Sequence, residues 1–222
     1  MEKYASLVDY PIEDEEEFTI CGDIHGQYYD LLNIFKINGN PSAENKYLFN
    51  GDFVDRGSFS VECMITLLAW KCANNDFLHL TRGNHEARTV NMIYGFKGEV
   101  QAKYSTEVYD AFSDLFCHLP LSYVINKKVM ICHGGIFADD GVKLEDIRKV
   151  NRVQEPPEKG IMCDLLWADP SDTYGRQPSK RGVSMAFGPD ITKKFLSDNN
   201  LGTLVSKTDL LIRSHEVKQG GY

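Results

Sequence analysis

The 222-residue chain reads as an α/β protein, a mostly parallel sheet with flanking helices. Three observations carry that reading. Short apolar runs alternate with segments of helical spacing from residue 18 to residue 213. Five of those runs end in a cluster of Asp, His, Asn and Gly. No repeat and no linker-like stretch interrupts the series, so residues 1–222 read as one domain.

The elements follow in order. Residues 18–21 form the first strand, and residues 30–36 have helical spacing. A strand over 47–50 leads into a helix over 61–72, with Ser60 as its expected N-cap. After a strand over 77–81 comes a long mixed helical region through 91–118. A strand over 129–132 precedes a turn at Asp139-Asp140-Gly141 and a helix near 143–149. Glu155-Pro156-Pro157-Glu158 breaks the pattern, and residues 172–181 carry Gly, Pro and Ser without periodicity; both read as loops. A helix over 190–198 follows Pro189, and a strand over 210–213 closes the series. A sheet usually continues on both sides of its ligand-bearing edge, so the C-terminal side is expected to be incomplete.

Composition narrows the function. An apolar share of 42% suits a folded globular protein, and no run reaches the ~18 apolar residues of a membrane span. A net charge of −8 argues against a general nucleic-acid binder. It does not exclude an anionic substrate, because bound divalent cations reverse the local field. Six scattered cysteines without a CxxC, behind an N-terminus with no secretory layout, predict a reducing compartment, cytoplasm or nucleus.

The strand ends carry the chemistry. The first run leads into Gly22-Asp23-Ile24-His25-Gly26, and the second into Gly51-Asp52-Phe53-Val54-Asp55-Arg56-Gly57. The third leads into Arg82-Gly83-Asn84-His85-Glu86, the fourth into His133-Gly134-Gly135 and the fifth into Arg213-Ser214-His215. In α/β sheets ligands sit beyond the carboxyl ends of the strands. Asp, His and Asn suit octahedral-leaning Mn²⁺, Fe or Zn²⁺ better than a metal selected by Cys. Asp23 and His25, two apart on extended backbone, point the same way and can chelate one ion. Asp52 can bridge to a second ion served by Asn84, His133 and His215. Two such ions ~3.5–4 Å apart form the clamp used for in-line displacement at phosphorus.

The remaining residues then have roles. Arg56 and Arg181 suit phosphate oxygens. His85, next to a ligand, is the natural acid for the leaving alkoxide, and Asp55 can hold its tautomer. His79 and His118 fall in no motif and read as structural. Glu86 and Glu216 read as supporting residues, Arg82 and Arg213 as partners of surface acids, and Trp167 and Tyr174 as core.

Taken together, GDIHGQ at 22–27, GDFVDRG at 51–57, RGNHE at 82–86, HGG at 133–135 and RSHE at 213–216 resemble the phosphoprotein phosphatase family of serine/threonine phosphatases. Leu31-Leu32-Asn33-Ile34-Phe35, Ile93-Tyr94-Gly95-Phe96, Met162-Cys163-Asp164-Leu165-Leu166-Trp167 and Ser179-Lys180-Arg181-Gly182-Val183 are similar to its type-five branch. The resemblance implies a calcineurin-like metallophosphatase β-sandwich flanked by helices, incomplete at the C-terminus, with a further insertion at 202–208. It implies two divalent ions, Mn²⁺ with Fe or Zn²⁺ as alternatives, held by Asp23, His25, Asp52, Asn84, His133 and His215. Arg56, Asn84 and Arg181 would bind phosphate, and His85 with Asp55 would donate the proton. The implied reaction is hydrolysis of phosphoserine and phosphothreonine in phosphoproteins by direct attack of a metal-bridging hydroxide. A phosphodiesterase or nucleotide phosphatase would use the same ligands, and a truncated, catalytically weak form that only binds phosphoproteins or partners is the alternative from another class. An Hsp90-type chaperone would be a partner only through the helical-repeat domain that type-five members carry and this chain lacks. Neither nucleic acid nor membrane is expected as a partner.

Overall fold

A computed structural model describes residues 3–13, 16–201, 210–217 and 219–220. The predicted insertion at 202–208 lies outside the described residues. In chain order the elements begin with β1 (Leu7–Tyr10), β2 (Glu17–Cys21), α1 (Tyr28–Asn38), β3 (Asn45–Asn50), α2 (Ser60–Ala73) and β4 (Leu78–Thr81). Next come α3 (Arg88–Tyr94), α4 (Phe96–Lys103), α5 (Thr106–Cys117), β5 (Ser122–Ile125), β6 (Val129–Cys132) and α6 (Leu144–Arg148). The series ends with α7 (Ile161–Trp167), β7 (Asp169–Pro170), β8 (Arg176–Pro178), β9 (Met185–Phe187), α8 (Pro189–Asp198) and β10 (Leu210–Arg213). They group into two compact units, one spanning Ile12–Leu119 and the other Met1–Pro11 with Pro120–Tyr222.

The first unit is built on the parallel sheet β2-β3-β4. Strand β3 is central, and Tyr47, Leu48 and Phe49 are fully buried on it, as a strand covered on both faces requires. Phe35 of α1 meets Tyr47 and Phe49 edge-on, with centroids 5.5 and 6.0 Å away. Ser60 is not the N-cap of α2. It is the first helical residue, and its Oγ accepts from the Asp55 N–H at 3.2 Å. The orphan N–H groups of Ser60 and Val61 donate instead to the carboxylate of distant Glu99, at 3.1 and 2.9 Å. The mixed helical region at 91–118 is three helices. Gly95, at φ +124°, separates α3 from α4, and Ser105 starts α5 by accepting from Val108 N–H at 3.4 Å.

In the second unit the sheet runs β1-β5-β6-β10. The β1/β5 and β6/β10 pairs are parallel, and β5/β6 is an antiparallel hairpin turned at Asn126 and Lys127, both with positive φ. A smaller sheet, β7-β9-β8, places strand β8 inside the segment expected to be loop. Leu165 and Leu166 of α7 share one apolar core with Leu7, Val124, Met130 and Phe187. Pro189 opens α8 rather than preceding it, which suits a residue that has no N–H to leave unpaired. Among the described residues no helix is long and apolar enough to cross a membrane.

Candidate active site

Three parallel strands of the first unit deliver their motifs to one edge. The turns that follow β2 and β3 are strained in a consistent way: His25, Asp52, Asp55 and Arg56 all sit at positive φ, between 46° and 72°. Such conformations persist where the surroundings impose them and concentrate at functional sites. Here Glu86 imposes much of the geometry. Its fully buried carboxylate accepts from the backbone N–H of Asp52 at 2.8 Å, Phe53 at 2.9 Å and Gly83 at 2.8 Å. The second and third strand-end loops are therefore tied together by one side chain. Gly83 has to be glycine, because a Cβ there would run into the side chains of Asp52 and Glu86.

On this frame the predicted residues converge. His25 Nδ1 is 2.8 Å from the Val54 carbonyl oxygen, which can only accept, so Nδ1 carries the proton and Nε2 presents a lone pair. That Nε2 lies 3.5 Å from Asp52 Oδ2 and 3.9 Å from Asp23 Oδ2. His25, Asp52 and His85 each offer a donor atom within 4.8 Å of the others, and the O/N character of these groups fits a divalent ion of the Mn²⁺, Fe or Zn²⁺ type. Burial pushes His25 below its ordinary pKa, against the pull of Asp52, and so favours the neutral ligand form.

His85 sits on the other side of Asp52, with Nε2 4.0 Å from Asp52 Oδ2. Its Nδ1 is 2.6 Å from Asp55 Oδ2, and the other Asp55 oxygen accepts from Phe96 N–H at 2.9 Å. The His85 backbone N–H donates to Asp52 Oδ1 at 3.0 Å. Burial works against the charged imidazole, but the Asp55 hydrogen bond and the Asp52 and Asp55 charges outweigh it and raise the His85 pKa. His25 and His85 thus lie 4.7 Å apart, centroid to centroid, with opposite proton affinities. Asn84 is buried in the same loop, whereas Arg56 is exposed.

The second unit gathers the remaining predicted residues. Parallel pairing of β6 with β10 puts Cys132 beside Arg213, so His133 and His215 follow together. Their rings lie 5.0 Å apart, and both are buried. Gly134 fits against α7, where a Cβ would come within 2.5 Å of the Trp167 nitrogen. Arg181 lies beside His215 and donates Nη2–H to its carbonyl at 2.7 Å.

Asp169, to which the sequence reading gave no role, stands among these groups. It is 3.3 Å from His215 Nδ1, 2.5 Å from Arg181 Nε and 2.7 Å from Arg213 Nη2. Burial alone would raise its pKa, but His215 and Arg181 hold it well below the usual carboxylate range. Its only sequence signal is an acid before Pro170, two residues after the Leu-Leu-Trp stretch.

Several assignments change. Arg213 is no surface pair: besides Asp169 it holds the Gly134 carbonyl at 2.6 Å and Glu216 at 2.6 Å. Arg82 is fully buried and donates to the Glu86 carbonyl at 2.9 Å. Trp167 is half-buried with its ring edge-on to His215, and Tyr174 is 75% exposed; neither is plain core. His79 is structural as expected. It is buried, its Nε2 is 3.1 Å from the Asp76 carbonyl, and burial lowers its pKa to about 4.

The calcineurin-like phosphoesterase profile matches residues 17–219, and the chain belongs to that family, whose members use divalent metal ions. Its fold is accordingly that of a calcineurin-like metallophosphatase. Within the family, the chain is 59% identical over 217 residues to serine/threonine-protein phosphatase 5 of Arabidopsis thaliana, a match covering 98% of this chain and 39% of that protein. It is 56% identical over 222 residues to serine/threonine-protein phosphatase 5 of Homo sapiens, covering 100% of this chain and 43% of the human protein. A solved protein serine/threonine phosphatase from Saccharomyces cerevisiae, described as similar to human phosphatase PP5, superposes with a TM-score of 0.91 at 39% identity, over 98% of this chain and 67% of that one. The chain spans about two fifths of the length of the curated relatives it matches.

Proposed function

We propose that residues 1–222 act as the catalytic domain of a metal-dependent phosphatase that hydrolyses phosphoserine and phosphothreonine in proteins. The observation that carries the reading is the buried His85–Asp55 pair directly beside Asp52, in a chain 59% identical to a serine/threonine-protein phosphatase. Asp23, His25, Asp52, Asn84, His133 and His215 would hold two divalent ions, with Mn²⁺ the first choice for this donor set and Fe or Zn²⁺ the alternatives. Ions bound there would supply a water-derived nucleophile at neutral pH and neutralise charge on the phosphoryl oxygens.

The chain's own residues would do the rest. Arg56, Arg181 and Asn84 orient the phosphoryl group. His85 gives its Nε2 proton to the departing serine or threonine oxygen, an alkoxide too basic to leave unaided. Asp55 keeps the proton of Nδ1 in place and stabilises the imidazolium before transfer. The occupants of such a site are phosphoproteins. An Hsp90-type chaperone would need the helical-repeat domain of longer relatives. A cytoplasmic or nuclear setting fits six cysteines that are all free.

The test is phosphate release from a phosphothreonine peptide by this chain with Mn²⁺, beside bis(p-nitrophenyl) phosphate and ATP. The reading expects turnover of the peptide that chelation abolishes. Faster turnover of the diester or the nucleotide would assign a different phosphoesterase. Tight peptide binding without any turnover would leave a binding module.

A further inference from the structure

The Asp169 carboxylate has two oxygens and three cationic or proton-bearing partners. Oδ1 accepts from Arg213 Nη2 at 2.7 Å and lies 3.3 Å from His215 Nδ1. Oδ2 accepts from Arg181 Nε at 2.5 Å, while Arg181 Nη2 lies 3.4 Å from Oδ1 and 2.7 Å from the His215 carbonyl. The residue sits in β7, which pairs with β9, so its backbone is fixed by a sheet rather than by a free loop.

Two consequences follow from donor and acceptor chemistry. A neutral imidazole presents a lone pair at one nitrogen only when the other carries the proton. At His215 the ionised Asp169 can only accept, so its 3.3 Å approach to Nδ1, an ion-pair contact outside hydrogen-bond geometry, favours the proton on Nδ1 and the lone pair on Nε2, the arrangement a metal-binding histidine needs. Arg181 has a planar fork with fixed geometry. Its Nε–Nη2 edge is engaged by Asp169 and the His215 carbonyl, which fixes the rotation of the guanidinium and leaves Nη1 on the other side. The same two oxygens therefore govern a predicted metal ligand and a predicted phosphate ligand.

We infer that Asp169 is a positioning residue that sets the His215 tautomer and the Arg181 orientation together, and so couples divalent-cation affinity to recognition of the phosphoryl group. The inference rests on the function proposed above, in which His215 binds metal and Arg181 binds phosphate. Asp169 would act through these two side chains.

The experiment measures Mn²⁺ affinity by calorimetry on chelator-stripped protein, and KM for a phosphothreonine peptide after reloading. The variants are Asp169→Asn, Asp169→Glu, His215→Ala, Arg181→Ala and the Asp169→Asn/Arg181→Ala double. Asp169→Asn should weaken Mn²⁺ by ~10–100-fold, the usual effect of losing a partner that orients a metal-bound histidine. It should also raise KM, with the double variant no worse than Arg181→Ala, and Asp169→Glu should recover part of both. The tautomer is read without any substitution from ¹⁵N spectra of metal-free wild-type protein at alkaline pH. A proton on Nδ1 of His215 supports the inference, and one on Nε2 overturns it. Mn²⁺ affinity of Asp169→Asn within about threefold of wild type, while His215→Ala loses it, would overturn the positioning role alone. Unchanged Mn²⁺ affinity in His215→Ala would instead overturn the ligand assignment beneath it. KM effects of Asp169→Asn and Arg181→Ala that multiply would also refute the coupling.

Discussion

Replacing Glu86 by Gln tests whether one buried carboxylate holds the second strand-end loop in its strained form and ties it to the third. In the native protein Oε2 accepts from Asp52 and Gly83, and Oε1 from Phe53. Gln has one accepting oxygen. Its best placement keeps two of the bonds on that oxygen and turns an NH₂ toward the third N–H. One charge-assisted bond is lost outright, at ~1.5–3 kcal/mol, and two fall toward the neutral value of ~1 kcal/mol each. Relief of the buried charge offsets part of this. The net expectation is a destabilisation of roughly 2–3 kcal/mol. With a urea m-value of ~2–3 kcal/mol/M for a chain of this size, the midpoint should fall by about 1 M. Trp70, on α2 of the same unit, gives the fluorescence signal. A midpoint shift below about 0.3 M, with an unchanged m-value, would refute the clamp. Because Asp52 sits at φ +53° on this clamp, folded Glu86→Gln should also bind Mn²⁺ more weakly than wild type.

Further outcomes concern His85, His79 and Gly83. His85→Asn should keep its metal and lose ~10²–10⁴-fold in turnover of a phosphothreonine peptide, with a smaller loss for p-nitrophenyl phosphate, whose leaving group needs no proton; equal losses on both substrates would remove His85 from the role of general acid. His79 has its pKa lowered to about 4 from 6.5, so the unfolded chain binds the extra proton across that interval. Its contribution is fully present above pH 6.5 and is lost as pH falls toward 4, a change of roughly 3 kcal/mol. Urea midpoints of His79→Gln should accordingly depend less on pH between 4 and 6.5 than those of wild type, and parallel profiles would contradict this. Gly83→Ala should fail to yield soluble protein or lose Mn²⁺ binding, since its Cβ meets both Asp52 and Glu86; full Mn²⁺ affinity in this variant would refute the close approach.

What was legible in the sequence and what was not divide along physical lines. The strands at 18–21, 47–50, 129–132 and 210–213 were readable because each is a short apolar run stopped by glycine or a polar cluster. The motifs at 22–26, 51–57 and 82–86 fall at one edge because β2, β3 and β4 form one parallel sheet, whereas those at 133–135 and 213–215 follow β6 and β10 of a second sheet. Strand β5 was missed because its hairpin turns on Asn126-Lys127 rather than on a glycine. Strands β7, β8 and β9, of two or three residues each, are too short to show a period, and β8 lies within a Gly/Pro/Ser segment. The cap of α2 was misassigned because its acceptor, Glu99, is a residue brought in by the tertiary fold and not by local sequence. Asp169 escaped for the same reason: its partners lie 12 to 46 positions away, and only folding assembles them. Tyr174 shows the limit of composition, an aromatic residue left in solvent by a surface loop.

In the proposed centre Asp52 would be shared between two divalent ions. Elemental analysis of purified, folded protein, wild type beside Asp52→Asn, tests it most directly. About two divalent ions per wild-type chain are expected, with loss of both in Asp52→Asn, because the shared carboxylate would serve each. Two ions per chain in well-folded Asp52→Asn would contradict it.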